Sequence, residues 1–255
     1  MDIAAILLLL VAAMAAGWVD AVVGGGGLLQ LPALLLAAPH QPIASLLGTN
    51  KLSSVFGTTT AAVTYARRTK LDRRVIWPAA GLAVAGSAGG ALLAGSLSSG
   101  VLKPIILAIL VGVALFITFR PSVGLVVLPE RDTRPRRLIA VGLAGVAIAT
   151  YDGLIGPGTG TFLIISFATV LGSDFVHASA MAKIVNVGTN LGALAVFAPR
   201  GHVLWGLGLG MAACNMVGAR LGARTALRRG AGFVRIVLLV VVVALVVKLG
   251  YDQLG

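Results

Sequence analysis

The chain has a single cysteine, Cys214, in 255 residues. One thiol excludes an intrachain disulfide and any cysteine-rich metal site. Charge is scarce too: Asp, Glu, Lys and Arg make up 11% of the sequence, against roughly 25% in soluble domains. Acids are the rarest, 8 Asp and Glu against 20 Lys and Arg. The net charge of +12 does not point to nucleic acid, because the basic residues sit in short loops between apolar blocks and no soluble domain presents them. No GxxxxGK(S/T) stretch occurs, so the chain carries no P-loop engine of its own. His40, His177 and His202 stand at segment ends without ligand spacing. With no nucleophile–base pair and no metal cluster, the chain reads as a non-enzyme without catalytic residues, bound metal or cofactor.

What is abundant is apolar sequence: 58% hydrophobic residues and a mean hydropathy of +1.01. Several blocks approach the ~20 residues needed to cross a bilayer core. The expected fold class is therefore an all-α polytopic membrane protein. The first block, "MDIAAILLLLVAAMAAGW", lacks a basic leader region and runs directly into a glycine motif. It reads as a retained first helix, not a signal peptide.

Self-comparison finds a repeat. At an offset of 132, Asp20 meets Asp152, Gly24 meets Gly156, Gly26 meets Gly158 and Lys51 meets Lys183. Arg68 also meets Arg200, Gly86 meets Gly218, Gly90 meets Gly222 and Lys103 meets Arg235. Matches between acids and lysines inside apolar sequence are informative because such residues are rare there. The expected organisation is a first membrane repeat over 1–119, a basic linker over 120–137 and a second repeat over 138–255. Each half reads as five apolar segments: about 3–19, 28–38, 44–66, 75–95 and 103–119, then about 138–151, 160–171, 175–198, 203–222 and 233–249. The second segment of each half is too short to span alone at ~1.5 Å per residue, so it is expected to be a half-helix or a re-entrant arm. About four full helices accompany it in each half.

Loop charge sets the expected orientation. The loop holding Arg67, Arg68, Lys70, Arg73 and Arg74 should be cytoplasmic. So should the linker with Arg120, Arg131, Arg134, Arg136 and Arg137, and the late loop with Arg224, Arg228, Arg229 and Arg235. The basic loop follows segment three in the first half and segment four in the second, so the halves are expected to be inverted. Both termini, near Asp2 and Asp252, then fall in the periplasm. In such transporters the site lies near the midplane, where broken helices meet.

Asp20 and Asp152 each close a first helix, just before glycines. An intramembrane acid is costly and commonly faces a cavity, which suggests a proton-linked carboxylate; a cap or a lysine partner is the structural alternative. Gly24, Gly25, Gly26 and Gly27, and Gly156, Gly158, Thr159 and Gly160 in "GPGTG", break the helix and let backbone approach closely. Free N–H groups at the start of the short helices would face an anion. Lys51 and Lys183 lie too deep for easy solvation. Lys51 shares a helical face with Ser54 and Thr58, and Lys183 shares one with Asn186 and Asn190, as lining of a cavity would. Asn50 and Thr49 are adjacent candidates. Trp18, Trp77 and Trp205 read as interface or packing anchors, and Arg220 and Arg224 as facing headgroups or the linker.

"GWVDAVVGGGGLLQLPALL" and "LLGTNKLSSVFGT" resemble the first half of the TauE/SafE family of sulfite-exporter-like permeases. "YDGLIGPGTGTFLI", "ASAMAKIVNVGTNLGAL" and "GARLGARTALRRG" resemble its second half, especially the YfcA-like subgroup. The resemblance covers nearly the whole chain. It implies a bacterial inner-membrane transporter of small anions such as sulfite or organosulfonates, with the glycine motifs and both lysines as site positions. Pro157 and Thr159 stand where the first half has Gly25 and Gly27, so the half-sites are not expected to be equivalent. The expectation is a secondary transporter of a small anionic solute, proton-coupled, working by alternating access of the two repeats. A passive anion channel built from the same parts is the alternative. The expected partners are the solute, co-transported protons and the bilayer, with a homo-oligomer left open and no nucleic acid.

Overall fold

The computed structural model describes residues 3–69, 71–94 and 124–254. The apolar segment 103–119 lies outside the described residues, as do Asp2, Lys70, Lys103 and Arg120. Within them the chain is helical, without strands: α1 (Ile3–Val23), α2 (Gly27–Ala37), α3 (Ile43–Ala66), α4 (Arg73–Leu93), α5 (Arg134–Leu154), α6 (Thr159–Val170), α7 (Phe175–Phe197) and α8 (Trp205–Leu254). α1, α4, α5 and α7 are long and apolar enough to cross a membrane. Asp72 caps α4 by accepting from the Arg74 amide, and Asp174 caps α7 by accepting from the amides of Val176 and His177. α5 widens to π-type bonding over Leu143–Ile148.

α2 and α6 have only 11 and 12 residues, about half the reach a bilayer core demands at ~1.5 Å per residue. Each doubles back on the helix before it. Gly24 adopts φ +80°, a backbone shape that favours glycine. Gly26 then returns so close to α1 that an added Cβ would lie 2.6 Å from the Ala16 carbonyl oxygen. Farther along α2, Leu34 and Ala38 pack with Leu9 and Ala13 of α1. In the second half Gly156 and Gly158 adopt φ +90° and +87°. Phe162 of α6 meets Tyr151 of α5 edge-on, and Arg131 donates to the Thr169 carbonyl near the far end of α6. Both short helices therefore fold back against the helix that precedes them.

The long helices sort into two groups. α1, α3 and the arm of α8 before Gly230 run parallel: Gly208 packs on Leu52, while Asn215 fills the space beside both Gly17 and Gly57. α4, α5 and α7 run parallel in the other group, with Gly90 against Thr150 and Gly192 against Val84. Small residues let these backbones approach where no hydrophobic force separates helix from lipid. The fourth helix of each sequence half, counting the short one, is thus exchanged: α4 packs on α5 and α7, and α8 packs on α1 and α3. Between the groups α3 and α7 cross antiparallel. Thr58 meets Asn190 at the middle, while Gly48 near the start of α3 meets Phe197 at the end of α7.

At Gly230, φ +74° and ψ −173° turn α8 back on itself. Phe233 accordingly returns to Trp18, the residue whose backbone Gly222 also touches. The expected segments 203–222 and 233–249 are these two arms. All three basic clusters gather at one end of the bundle. Arg67 and Arg68 share a cleft with Arg224 and Arg228, and Arg137 reaches Asp72 at 3.5 Å.

Candidate functional site

The two helix breaks meet at the centre. A Cβ on Gly24 would lie 2.1 Å from the Gly160 carbonyl carbon, so only glycine fits this crossing. Ending α1 leaves its last carbonyls without helical partners. Each is met by a side chain from elsewhere: Tyr65 donates to Ala21 at 3.0 Å, Ser179 to Val22 at 3.3 Å and Thr161 to Val23 at 2.8 Å. The second break is held locally, by Tyr151 donating to the Pro157 carbonyl at 2.6 Å and Thr159 to the Gly156 carbonyl at 2.7 Å.

The acids and lysines pair across the halves. Lys51 Nζ lies 2.6 Å from Asp152 Oδ2, and Lys183 Nζ lies 2.9 Å from Asp20 Oδ2. Both lysines are buried, and in low dielectric a lone charge would be prohibitive. The Asp152 side chain is 3% exposed and the Asp20 side chain 17%. The second pair is therefore the one nearer to an opening. Lys51 also sits over the second break, since a Cβ on Gly156 would lie 3.0 Å from its Nζ. The lysine charges expected to create positive potential are thus balanced at contact distance.

Other expected site residues divide. Asn190 donates to Thr58 Oγ1 at 3.3 Å and to the Asn186 carbonyl at 2.8 Å. The Asn186 side-chain oxygen accepts from Thr189, and the Ser54 carbonyl accepts from Thr58. Gly27 faces Pro157 and the Asn50 amide, joining the two half-sites. Buried Asn50 Oδ1 has no hydrogen-bond partner among the described residues. Gly25 instead faces Val241, and Gly158 faces Leu28 and Phe162, so these two glycines line apolar packing. Among the described residues no three metal-ligating side chains come together.

Two buried polar residues escape a repeat-based reading. Asn215 of α8 donates to Gln30 Oε1 of α2 at 2.8 Å, and the Gln30 amide nitrogen has no partner among the described residues. At the repeat offset these positions hold Ala83 and Phe162, so duplication gives no signal. A glutamine inside an apolar half-helix was the one available cue. Ser53, also buried and with no hydroxyl partner among the described residues, is next to Ser54 on α3.

A family model described as sulfite exporter TauE/SafE matches residues 9–249. A probable membrane transporter protein, ORF9, of Sinorhizobium sp. is 38% identical over 244 residues, covering 96% of this chain and 92% of its own. A probable membrane transporter protein of Haemophilus influenzae is 33% identical over 238 residues, covering 93% and 91%. The probable membrane transporter protein YfcA of Escherichia coli K12 is 34% identical over 246 residues, covering 95% and 88%. No solved structure matches the chain.

Proposed function

This chain belongs to the sulfite exporter TauE/SafE family of membrane transporters, and from that premise we propose that it carries a small anion by exchanging it for a carboxylate on a buried lysine. The carrying observation is the pair of crossed contacts, Lys51–Asp152 and Lys183–Asp20. A lysine held by an aspartate offers little to an oxyanion such as sulfite or a sulfonate. Protonation of that aspartate removes its charge and frees the ammonium. An incoming anion then restores neutrality, so proton and anion occupy the site together. Asn50, Thr58 and Asn190, with backbone N–H groups at the starts of α2 and α6, supply hydrogen bonds to the same space.

We read the two halves as inverted repeats about an axis through the Thr58–Asn190 contact. Support comes from the antiparallel α3–α7 crossing and from opposite directions of the two parallel groups. The bodies that rock in alternating access are then the packed groups, α1–α3 with α8 against α4–α7, and not the sequence halves. Gathering of the basic clusters at one end supports a cytoplasmic placement of that end in the inner membrane, with periplasmic termini.

The test is uptake into proteoliposomes, screening sulfite, thiosulfate, sulfonates and small carboxylates with and without a pH gradient. Saturable uptake of one anion, driven by an inward proton gradient, is expected. Asp20→Asn and Asp152→Asn should retain binding but lose the dependence on the gradient. Full, pH-sensitive uptake by both variants overturns the proton role. Linear flux without accumulation overturns carrier transport in favour of a channel.

A further inference from the structure

A cleft of about 900 Å³ opens where α3 and the arm of α8 before Gly230 end together. Five arginines line it: Arg67 and Arg68 from α3, and Arg220, Arg224 and Arg228 from α8. The last three recur every four residues and so form one stripe on their helix. Among the described residues none of the five is paired with a carboxylate. Five unpaired guanidinium groups around one space repel each other unless an anion enters.

This cleft is not a vestibule of the central site. Thr60 lies nine residues beyond Lys51, and Arg67 nine beyond Thr58. At about 100° per residue, each of these steps is half a turn. The arginine face of α3 therefore points away from the ion pairs. Toward the bilayer centre, on the same outward faces, α3 exposes Phe56 and Val63 and α8 exposes Val217 and Leu221. A polycationic pocket at the membrane interface thus continues into an apolar groove between two helices.

We propose that this cleft binds the phosphate headgroup of an acidic phospholipid, whose acyl chains lie along Phe56, Val63, Val217 and Leu221. Guanidinium groups take phosphate oxygens two at a time, and basic pockets between helices at the interface suit such headgroups. The Thr60 and Thr64 hydroxyls donate to carbonyls of their own helix. A free phosphate would use the arginines but leave the groove bare.

The full chain in dodecyl maltoside micelles is titrated with cardiolipin, phosphatidylglycerol, phosphatidylcholine or soluble glycerophosphate at constant ionic strength, following thermal unfolding. Near saturation, cardiolipin or phosphatidylglycerol should raise the midpoint by roughly 5–10 °C, as ligand linkage requires. Phosphatidylcholine and glycerophosphate should leave it unmoved. Arg67→Gln and Arg224→Gln should each weaken the apparent affinity severalfold, and together abolish the saturable shift. Arg73→Gln, outside the cleft, should preserve it. If the double variant does not fold, the two exposed single variants carry the comparison. An equal shift from glycerophosphate assigns the site to soluble anions and overturns the lipid. An equal shift from phosphatidylcholine, or one that survives the arginine variants, overturns the site.

Discussion

Lys51 finds its carboxylate 101 residues away, on Asp152, at 2.6 Å. Neither residue pairs with the acid or lysine of its own half, and the reciprocal pair, Lys183 with Asp20, obeys the same rule. The ion pairs therefore do two things at once. They neutralise charges that lipid would reject, and they fasten α3 to α5 and α7 to α1 across the two packed groups. Any motion of one group against the other must stretch or exchange these contacts, and in the proposed exchange mechanism that would tie solute binding to the conformational step.

The two pairs should differ in what their loss costs. Removing one partner of a buried pair strands a charge, typically destabilising by about 3–5 kcal/mol. Asp152 is almost wholly enclosed, whereas the Asp20 side chain keeps 17% exposure. Asp152→Asn should therefore lower the thermal midpoint in detergent more than Asp20→Asn. Lys51→Met combined with Asp152→Leu should recover most of the loss while abolishing transport. Equal shifts for the two single variants would contradict this ordering.

The central glycine crossing gives a steric prediction. Gly160→Ala places a methyl group 2.4 Å from Gly24 Cα, a backbone atom that cannot swing aside. Gly24→Ala adds an unfavourable positive φ to the same clash. Both variants should yield little monodisperse protein in size-exclusion chromatography. Gly81 and Gly89 in α4 have nothing within 4 Å, so alanine there should raise stability by roughly 0.5–1 kcal/mol through helix propensity.

Much of this was legible because rare residues repeat. Asp20, Asp152, Lys51 and Lys183 stand out in apolar sequence, and the short segments after the glycines announce broken helices. What a repeat cannot reveal is which copy pairs with which. Asp20 with Lys51 and Asp20 with Lys183 satisfy the same spacing, and only the fold selects the crossed pairing. The exchange of α4 and α8 was hidden for a similar reason, since apolar faces of equal length specify no neighbour. Gln30 and Asn215 give the repeat no signal, because Phe162 and Ala83 stand at their counterpart positions. Gly230 gave a weak cue, being one more glycine in an apolar and basic stretch.

Asp174 supplies a prediction about pH. Burial pushes its carboxyl up, but hydrogen bonds from His177 and from the amides of His177 and Val176 outweigh this and hold it below its usual range. A carboxyl so depressed stabilises the fold fully above its unfolded value, ~3.9, and loses that contribution as pH falls through the lower folded value. Asp174→Ala should remove about 1 kcal/mol of capping stability near neutral pH. The gap between wild type and variant should close below pH ~4. Thermal unfolding across an acidic pH series reads this directly, and a gap that widens on acidification would refute it.

Orientation can be tested at the same clusters that fix the bundle's basic end. Arg68 lies in one cleft with Arg224, so the α3–α4 loop and the turn at Gly230 must share a side of the membrane. The loop-charge rule predicts that this side is cytoplasmic. Gly48 packs against His202, so the loop before α3 and the loop after α7 share the opposite side. With Cys214 replaced by alanine, single cysteines at Arg68 and Arg229 should resist a membrane-impermeant maleimide added to intact cells. Cysteines at His40 and Arg200 should react. Labelling of Arg68 and Arg200 positions together from outside would break the inverted arrangement, because α3 and α7 would then no longer cross in opposite directions.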